Sequence, residues 1–219
     1  MNGKRIALLV AGFGSLLLVA TVYAGGWAVT TVRDFPEYAI AGKPLQLTFM
    51  VRQHGVTPYE GLTPMLTAKS GSETAKAPAG KTKTAGEYTA ALVLPHPGQW
   101  IIRIEGVVID PTLPVLTVIA PGSPRPSPLS QVTLAERLFV TKGCLGCHMN
   151  EEVEPNRRGG IGPDLTGKRF PEAYLKSFLA NPQAALGRTA ESDYGDMPNL
   201  GLTKSEIETL TAFINRDRP

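Results

Sequence analysis

The sequence predicts a multi-domain chain of α and β structure, with an N-terminal transmembrane helix, an all-β sandwich and an all-α C-terminal domain. Three observations predict this fold class. Residues 6–24 form a run of 19 residues without a charge. Apolar and polar residues then alternate with a period of two, typical of strands, as far as residue 120. After a proline-rich stretch the apolar period becomes helical. The predicted boundaries are 1–29, 30–120, 121–130 and 131–219.

Composition limits the function classes. The chain has 219 residues, 42% hydrophobic and 19% charged, which is enough apolar surface for a packed core. The net charge is only +3 and is dispersed, so no nucleic-acid partner is expected. The 2 cysteines lie three positions apart, which excludes a disulfide framework and favours a cofactor site.

The N-terminal segment fits two interpretations. A basic pair at residues 4–5 and small residues at 22–24 resemble a cleaved secretory signal. Alternatively the uncharged run is an uncleaved anchor, because about 20 apolar residues span a bilayer, with Tyr23 and Trp27 at the interface. The length of the run favours the anchor, a single-pass helix in a bacterial-type cytoplasmic membrane. Both interpretations place the chain after residue 30 on the outer, periplasmic face.

The strand-like region contains three clear alternating segments. Their inward-facing residues are Leu45, Leu47, Phe49 and Val51, then Tyr88, Ala90, Leu92 and Leu94, then Trp100, Ile102 and Ile104. Short strands with regular glycine and proline turns predict an immunoglobulin-like antiparallel sandwich. The run from Gly86 to Ala90, followed by Leu94 to Trp100, resembles small exported sandwich domains of the FixH/YtkA type. That resemblance implies a copper-oxidase or copper-handling context.

Copper ligands in this region are sparse. Met50, Met65, His54 and His96 are soft or borderline donors, but no cysteine or paired methionine motif accompanies them. A structural role for these four residues is therefore the preferred interpretation, and a copper-handling module is kept as an alternative.

Residues 121–130 carry four prolines in their first eight positions, which predicts an extended polyproline-like spacer. Beyond it the sequence predicts three short helices, around Leu134 to Val140, Pro171 to Leu179 and Thr203 to Asn215. Thr203 followed by Glu206 is the pattern of a capping box, so the last helix is expected to begin there.

The strongest chemical signal is Cys144-Leu145-Gly146-Cys147-His148. The spacing C-x-x-C-H is the attachment motif of c-type haem. Each thiol then forms a thioether with one vinyl group of the porphyrin, and His148 becomes the proximal iron ligand. A thioredoxin-like redox pair would require a βαβ context, and a zinc site would require a second pair of ligands, which the sequence after His148 does not offer.

A second axial ligand is expected from Met197, which lies in the loop before the last helix. Histidine and methionine are an established pair of axial ligands in c-type cytochromes. A structural alternative is that Met197 only fills a gap in the core, as methionine often does. His54 and His96 lie beyond the proline spacer and are not chosen.

Residues 131–219 resemble a class I mono-haem cytochrome c. The resemblance is carried by the haem motif, by the runs 161–167, 174–182 and 197–202, and by 210–214. It implies one covalently attached haem c. It also implies that the carbonyl of Pro163 accepts a hydrogen bond from Nδ1–H of His148, which orients the ligand. Phe170 is expected to line the haem pocket, and Leu138 or Phe139 to pack against Phe213 or Ile214.

The expected function is electron transport without catalysis. The chain is predicted to be a membrane-anchored carrier, or a haem subunit, that passes single electrons between respiratory or photosynthetic membrane complexes. Its partners would be such a complex or a soluble redox protein, together with the lipid bilayer through the N-terminal helix. Two alternatives remain open: a haem peroxidase or gas sensor with a labile Met197, and a copper-handling sandwich with an accessory haem.

Overall fold

The structure is a computed structural model and describes residues 27–155, 159–188 and 196–217. Strands occupy the first part of the described chain and helices the last part. The strands are β1 (Ala28–Arg33), β2 (Tyr38–Ile40), β3 (Pro44–Gln53), β4 (Thr57–Pro58), β5 (Met65–Ser70), β6 (Glu73–Pro78), β7 (Gly80–Lys81), β8 (Glu87–Val93), β9 (Gly98–Glu105) and β10 (Leu116–Ile119).

The strands form two five-stranded sheets. The first has the order β1-β3-β8-β7, with β4 also pairing with β3. The second has the order β2-β10-β9-β5-β6. Only β2 and β10 pair in parallel among the described strands; the other named pairs are antiparallel. Strand β1 therefore lies at one edge of the first sheet.

The two sheets enclose one apolar core, to which β3 contributes Phe49 and Val51 and β9 contributes Trp100 and Ile102. Trp100, Ile102 and Val51 have no exposed surface, and Phe49 retains 1%. Successive side chains of a strand point to opposite faces, so the period of two places one set inside. The three alternating segments therefore lie in β3, β8 and β9, as predicted.

The helical elements are short and follow the spacer. They are α1 (Gln131–Thr141), α2 (Glu172–Ala180), α3 (Pro182–Ala185) and α4 (Lys204–Ile214), with a 3₁₀ turn at Cys144–Gly146. The capping box predicted at Thr203 and Glu206 is confirmed at the start of α4. The expected contact between the first and last helices is also confirmed, since the ring centroids of Phe139 and Phe213 lie 5.8 Å apart.

The predicted fold class is nevertheless wrong. The described chain is mostly β-sheet, and its four helices span only 11, 9, 4 and 11 residues. They occupy less than half of residues 131–219, so the expected all-α cytochrome c domain is not what this segment forms. The physical reason lies in the loops between the helices. Glycine and proline recur between residues 155 and 171, where they oppose helix formation.

The C-terminal boundary of the expected N-terminal transmembrane helix is corrected as well. Over the ranges that the structure describes, no helix is both long and apolar enough to cross a membrane. The run at residues 6–24, with Tyr23, lies outside those ranges. The predicted anchor segment extends to residue 29, with Trp27 at the interface, but β1 begins at Ala28 and pairs with β3. Val29, Thr30, Thr31 and Val32 are β-branched, which favours a strand over a helix.

Helix α1 contacts the sandwich directly through Arg137. Its guanidinium donates to the carbonyl oxygen of Val115 at 2.7 Å and to that of Pro36 at 2.6 Å. The same group lies 4.8 Å from the ring centroid of Phe35. The helical segment is therefore attached to the sandwich by side-chain contacts in addition to the spacer.

Candidate functional site

Two adjoining cavities lie where the helices meet the edge of the sandwich. Their volumes are about 250 Å³ and about 170 Å³, and only the two together reach the range of about 300–1,000 Å³ typical of cofactor pockets. Their walls are predominantly apolar. Both cavities are lined by Cys144, His148, Pro163, Phe178 and Met197. Because they share these residues, we treat the two cavities as one site.

All six residues predicted to form a site line these cavities. Cys144, His148, Pro163 and Met197 line both, Cys147 lines the first, and Phe170 lines the second. The fold thus gathers residues from the cysteine motif, from the loop after it and from the loop before α4. Their roles toward a cofactor stay a prediction.

The cysteine motif forms a tight turn. The backbone N–H groups of Cys147 and His148 both donate to the carbonyl of Cys144, at 3.1 and 2.8 Å. Gly143 precedes the turn with φ of 75°, a left-handed conformation that glycine adopts without steric cost. This turn places the two thiols and the imidazole within one short segment on the cavity wall.

The chemistry of Cys144 does not suit a redox pair. Its side chain is buried, and burial raises the pKa of the thiol to about 12. A reactive redox cysteine instead needs a lowered pKa, because the thiolate is the nucleophile. In the described ranges no three His, Cys, Asp or Glu residues cluster as metal ligands. A structural zinc site usually needs four such ligands.

His148 is oriented by the loop that follows it. Its Nδ1 lies 2.9 Å from the carbonyl oxygen of Pro163. A carbonyl oxygen only accepts, so Nδ1 carries the proton and Nε2 keeps its lone pair for a metal. Burial lowers the pKa of His148, partly offset by the Pro163 bond, which favours the neutral ring that metal ligation requires. The hydrogen bond implied by the cytochrome resemblance is present.

Gly162 leaves no room beside that ring. A Cβ on Gly162 would lie 2.6 Å from Cε1 and 2.7 Å from Nδ1 of His148. Its N–H donates to the carbonyl of Cys147 at 2.9 Å, which fixes the loop against the motif. Glycine is therefore required at this position by the close approach of backbone and imidazole.

Met197 lies at the start of the described segment that leads into α4. The side-chain amide of Gln183, in α3, donates to the carbonyl oxygen of Met197 at 3.2 Å. Met197 is partly buried and packs against the core of the helical segment. The next residue, Pro198, is buried, and an ion pair joins Asp196 to Arg188. These contacts hold the methionine at the cavity wall.

Phe170 is fixed to the end of α4. Its N–H donates to Oδ1 of Asn215 at 2.8 Å, and Nδ2 of Asn215 donates to its carbonyl oxygen at 2.9 Å. This paired bond clamps the backbone of Phe170 beside the second cavity. Phe170, which the cytochrome resemblance assigned to the haem pocket, thus lines the second cavity.

Sequence reasoning missed the contribution of the sandwich. Trp27 and Val29 line the first cavity, and Val29 is buried with 3% of its surface exposed. The β-branched run in β1 could have predicted a strand here. The uncharged segment before it instead led to a membrane anchor being predicted for these residues.

The two histidines among the candidate copper donors contact different neighbours. The ring of His54 packs 5.4 Å from that of Trp27, whereas Nε2 of His96 lies 2.5 Å from a carboxylate oxygen of Glu73. His96 also packs 4.9 Å from Trp100. These contacts are structural and support no copper site.

No protein-family model and no curated protein matches the chain. Among solved structures, the chain is similar to one described as "ZirS C-terminal Domain", with 12% identity and a TM-score of 0.34. That match covers 54% of this chain and 85% of the other. A likeness of this size supports no conclusion about function.

Proposed function

We propose that this protein is a mono-haem c-type electron carrier. One haem would be held covalently by Cys144 and Cys147. The observation that carries the proposal is the shared lining of the two adjoining cavities: two thiols, an imidazole and a thioether border the same, predominantly apolar space. These donors fit a flat, apolar cofactor that contains iron. When bound, haem c supplies a one-electron couple whose potential the axial ligands tune.

Each chain residue would then have a defined task. Cys144 and Cys147 would hold the porphyrin, and Nε2 of His148 would bind the iron while the Pro163 carbonyl orients the imidazole. Met197, in the segment held by Gln183, would offer its thioether as a further ligand. Phe170 and Phe178 exclude water from the porphyrin. An apolar, water-poor surround lowers the dielectric constant around the iron, which is one way a protein sets the potential.

The Met197 segment is held by the hydrogen bond from Gln183 and by the ion pair between Asp196 and Arg188. A methionine held in this way favours electron transfer over peroxide chemistry or gas sensing, which would both need Met197 to leave the iron. If His148 and Met197 were both ligands, a substrate would have to displace one of them. Haem is attached outside the cytoplasm, so the proposal includes export of the chain beyond residue 30. The partner would be a membrane electron-transfer complex or a soluble redox protein.

Optical spectra of the purified full chain, produced in a host that attaches haem, test this proposal. The oxidised protein should show the weak sulfur-to-iron band near the red edge of the spectrum. The reduced protein should be low-spin and should not bind carbon monoxide at once. Met197→Ala should lose the sulfur band and gain carbon monoxide binding.

Met149→Ala is the matched control, because Met149 adjoins His148 and is not among the residues that line either cavity. It should keep the sulfur band. A wild-type protein that is high-spin when reduced and binds carbon monoxide immediately would overturn the carrier and support a sensor or peroxidase.

A further inference from the structure

The sandwich forms part of the wall of the candidate haem site. Trp27 and Val29 line the first cavity beside Cys147, His148 and Met197. Val29 lies in β1 and Trp27 directly precedes that strand, and both are far in sequence from the motif. A cavity built by the helical segment alone would therefore lie open along this side.

The first contact point lies at β1. Gly143, which directly precedes the cysteine motif, packs so closely on β1 that a Cβ there would lie 2.7 Å from Cγ1 of Val29. It would also lie 2.8 Å from the carbonyl oxygen of Thr30. The edge strand of the first sheet is thus in van der Waals contact with the turn that carries Cys144.

The second contact point lies at the turn between β3 and β4. A Cβ on Gly55 in this turn would lie 2.2 Å from Cγ and 2.7 Å from Cβ of Pro198. Pro198 directly follows Met197 and is buried. The sandwich therefore contacts the two segments that carry the predicted covalent attachment and the predicted thioether ligand.

Trp27 joins the two contact points. Its carbonyl oxygen accepts a hydrogen bond of 3.0 Å from the N–H of His54, and its indole packs 5.4 Å from the ring of His54. His54 and Gly55 both have positive φ, at 53° and 73°. Glycine adopts such a conformation freely, and histidine does so more often than most residues. β1 and the β3–β4 turn thus form one connected surface.

We propose that this surface positions Met197: the β3–β4 turn, which is joined to β1 through Trp27, holds the Met197–Pro198 segment where the thioether would bind the iron. The proposal rests on the proposed function, because it concerns the ligand set of the same haem. The sandwich then acts as one half of the haem site and sets the strength of the methionine ligation. The residues that do this touch Pro198 rather than the iron, so they are positioning residues.

Gly55→Ala tests the proposal because its Cβ would collide with the ring of Pro198. A proline ring has no rotamer by which to move aside, so the Met197 backbone must shift. The full-length oxidised holoprotein should lose most of its sulfur-to-iron band. Its reduction potential should fall, because methionine ligation raises the potential of a c-type haem.

Gly42→Ala is the matched control. Its φ of 72° is almost that of Gly55, so the backbone strain is the same, but a Cβ there meets no atom within 4 Å. It should keep the band and the potential of the wild type. In a second variant, Gly55→Ala combined with Pro198→Gly should recover the band, because all three Pro198 atoms that the new Cβ would meet are removed.

The outcomes separate this inference from the proposed function. A wild-type protein without covalent haem or without the sulfur band refutes the proposed function itself. If the wild type shows both, and Gly55→Ala keeps the band and potential like Gly42→Ala, the positioning role is refuted. Loss of the band in both glycine variants refutes it equally, because backbone strain alone would then explain the effect.

Discussion

The imidazole of His148 lies between the carbonyl oxygen of Pro163, which accepts from Nδ1 at 2.9 Å, and the backbone of Gly162. The bond fixes the tautomer, and the glycine permits the close approach. Such outer contacts orient metal ligands and raise their basicity. Single residues outside the cysteine motif therefore decide whether His148 can serve as an iron ligand.

Gly162→Ala should displace the ring. The added Cβ would lie 2.6 Å from Cε1 of His148, which is closer than carbon atoms approach one another in proteins. Overpacking of this kind costs about 1–3 kcal/mol. We expect a lower midpoint of thermal unfolding and a loss of the low-spin spectrum in the reduced holoprotein, measured by circular dichroism and absorption.

Gly146→Ala provides the comparison inside the motif, since a Cβ there meets no atom within 4 Å. It should keep the wild-type spectrum. If Gly162→Ala were as low-spin and as stable as Gly146→Ala, the account of His148 would be refuted.

For single residues, the sequence predicted the cysteines, the histidine and the methionine that line the site. It did not predict the sandwich residues that complete the wall of the same cavity. The C-x-x-C-H spacing and the family pattern located Cys144, Cys147, His148 and Met197, because each has a residue type that its proposed chemistry requires. Trp27 was missed because its contribution is shape and apolar surface. Those properties depend on how β1 packs against a segment more than a hundred residues away.

Among the elements, α1 and α4 are joined at their ends by an ion pair. Nζ of Lys142, at the end of α1, lies 2.6 Å from Glu206, in the first turn of α4. Burial raises the pKa of Glu206, but the bonds from Lys142 and Thr203 outweigh that effect and hold its pKa below the usual range. The same carboxylate completes the capping box by accepting from the N–H of Thr203 at 2.9 Å.

This lowered pKa gives stability a pH dependence. A carboxyl with a depressed folded-state pKa stabilises the fold above its unfolded pKa of about 4.3, and that contribution is lost as the pH falls through the folded value. The wild-type midpoint of thermal unfolding should therefore fall between about pH 5 and about pH 3. Glu206→Gln should show a lower midpoint at pH 7 and a shallower fall over that range.

Glu208→Gln is the control on the same helix, where the side chain is exposed. It should follow the wild-type pH curve. An unchanged pH curve for Glu206→Gln would contradict the role given to the Lys142 pair.

The positions of three of the helices could be predicted from the sequence, but the first strand could not. α1, α2 and α4 lie where helical periodicity and the capping box placed them, since these signals are local. β1 was not predicted, because a β-branched run that continues an uncharged stretch has no sharp boundary in the sequence. The same ambiguity extended the predicted anchor to residue 29, which lies in β1.

For the molecule as a whole, the relevant feature is the attachment of the helical segment to the sandwich. Arg137 supplies two hydrogen bonds from α1 to backbone carbonyls of the sandwich, those of Val115 and Pro36. The close contacts at Gly143 and Gly55 lie elsewhere on the same boundary. The sequence could not predict this arrangement, because bonds to backbone carbonyls leave no pattern in the partner residues.

Arg137→Ala should weaken that attachment. Hydrogen bonds from a charged group contribute about 1.5–3 kcal/mol, and a chain of this size loses about 2–4 °C in its unfolding midpoint per kcal/mol. Calorimetry of the full chain should show a lower midpoint, with the unfolding of the helical segment separated from that of the sandwich.

Arg125→Ala removes an exposed arginine from the spacer and serves as the control. Its calorimetric trace should match that of the wild type. An Arg137→Ala trace that also matches the wild type would show that α1 is held by other contacts.

The central claim is that one haem is joined to the chain by two thioether bonds, and extraction with acidic acetone tests it most directly. The purified wild-type pigment should stay with the polypeptide, whose intact mass should exceed that of the bare chain by one haem. The double variant Cys144→Ser/Cys147→Ser should release any pigment that it binds. Wild-type protein whose pigment is extracted, or whose mass is that of the bare chain after production in a haem-attaching host, would contradict the account.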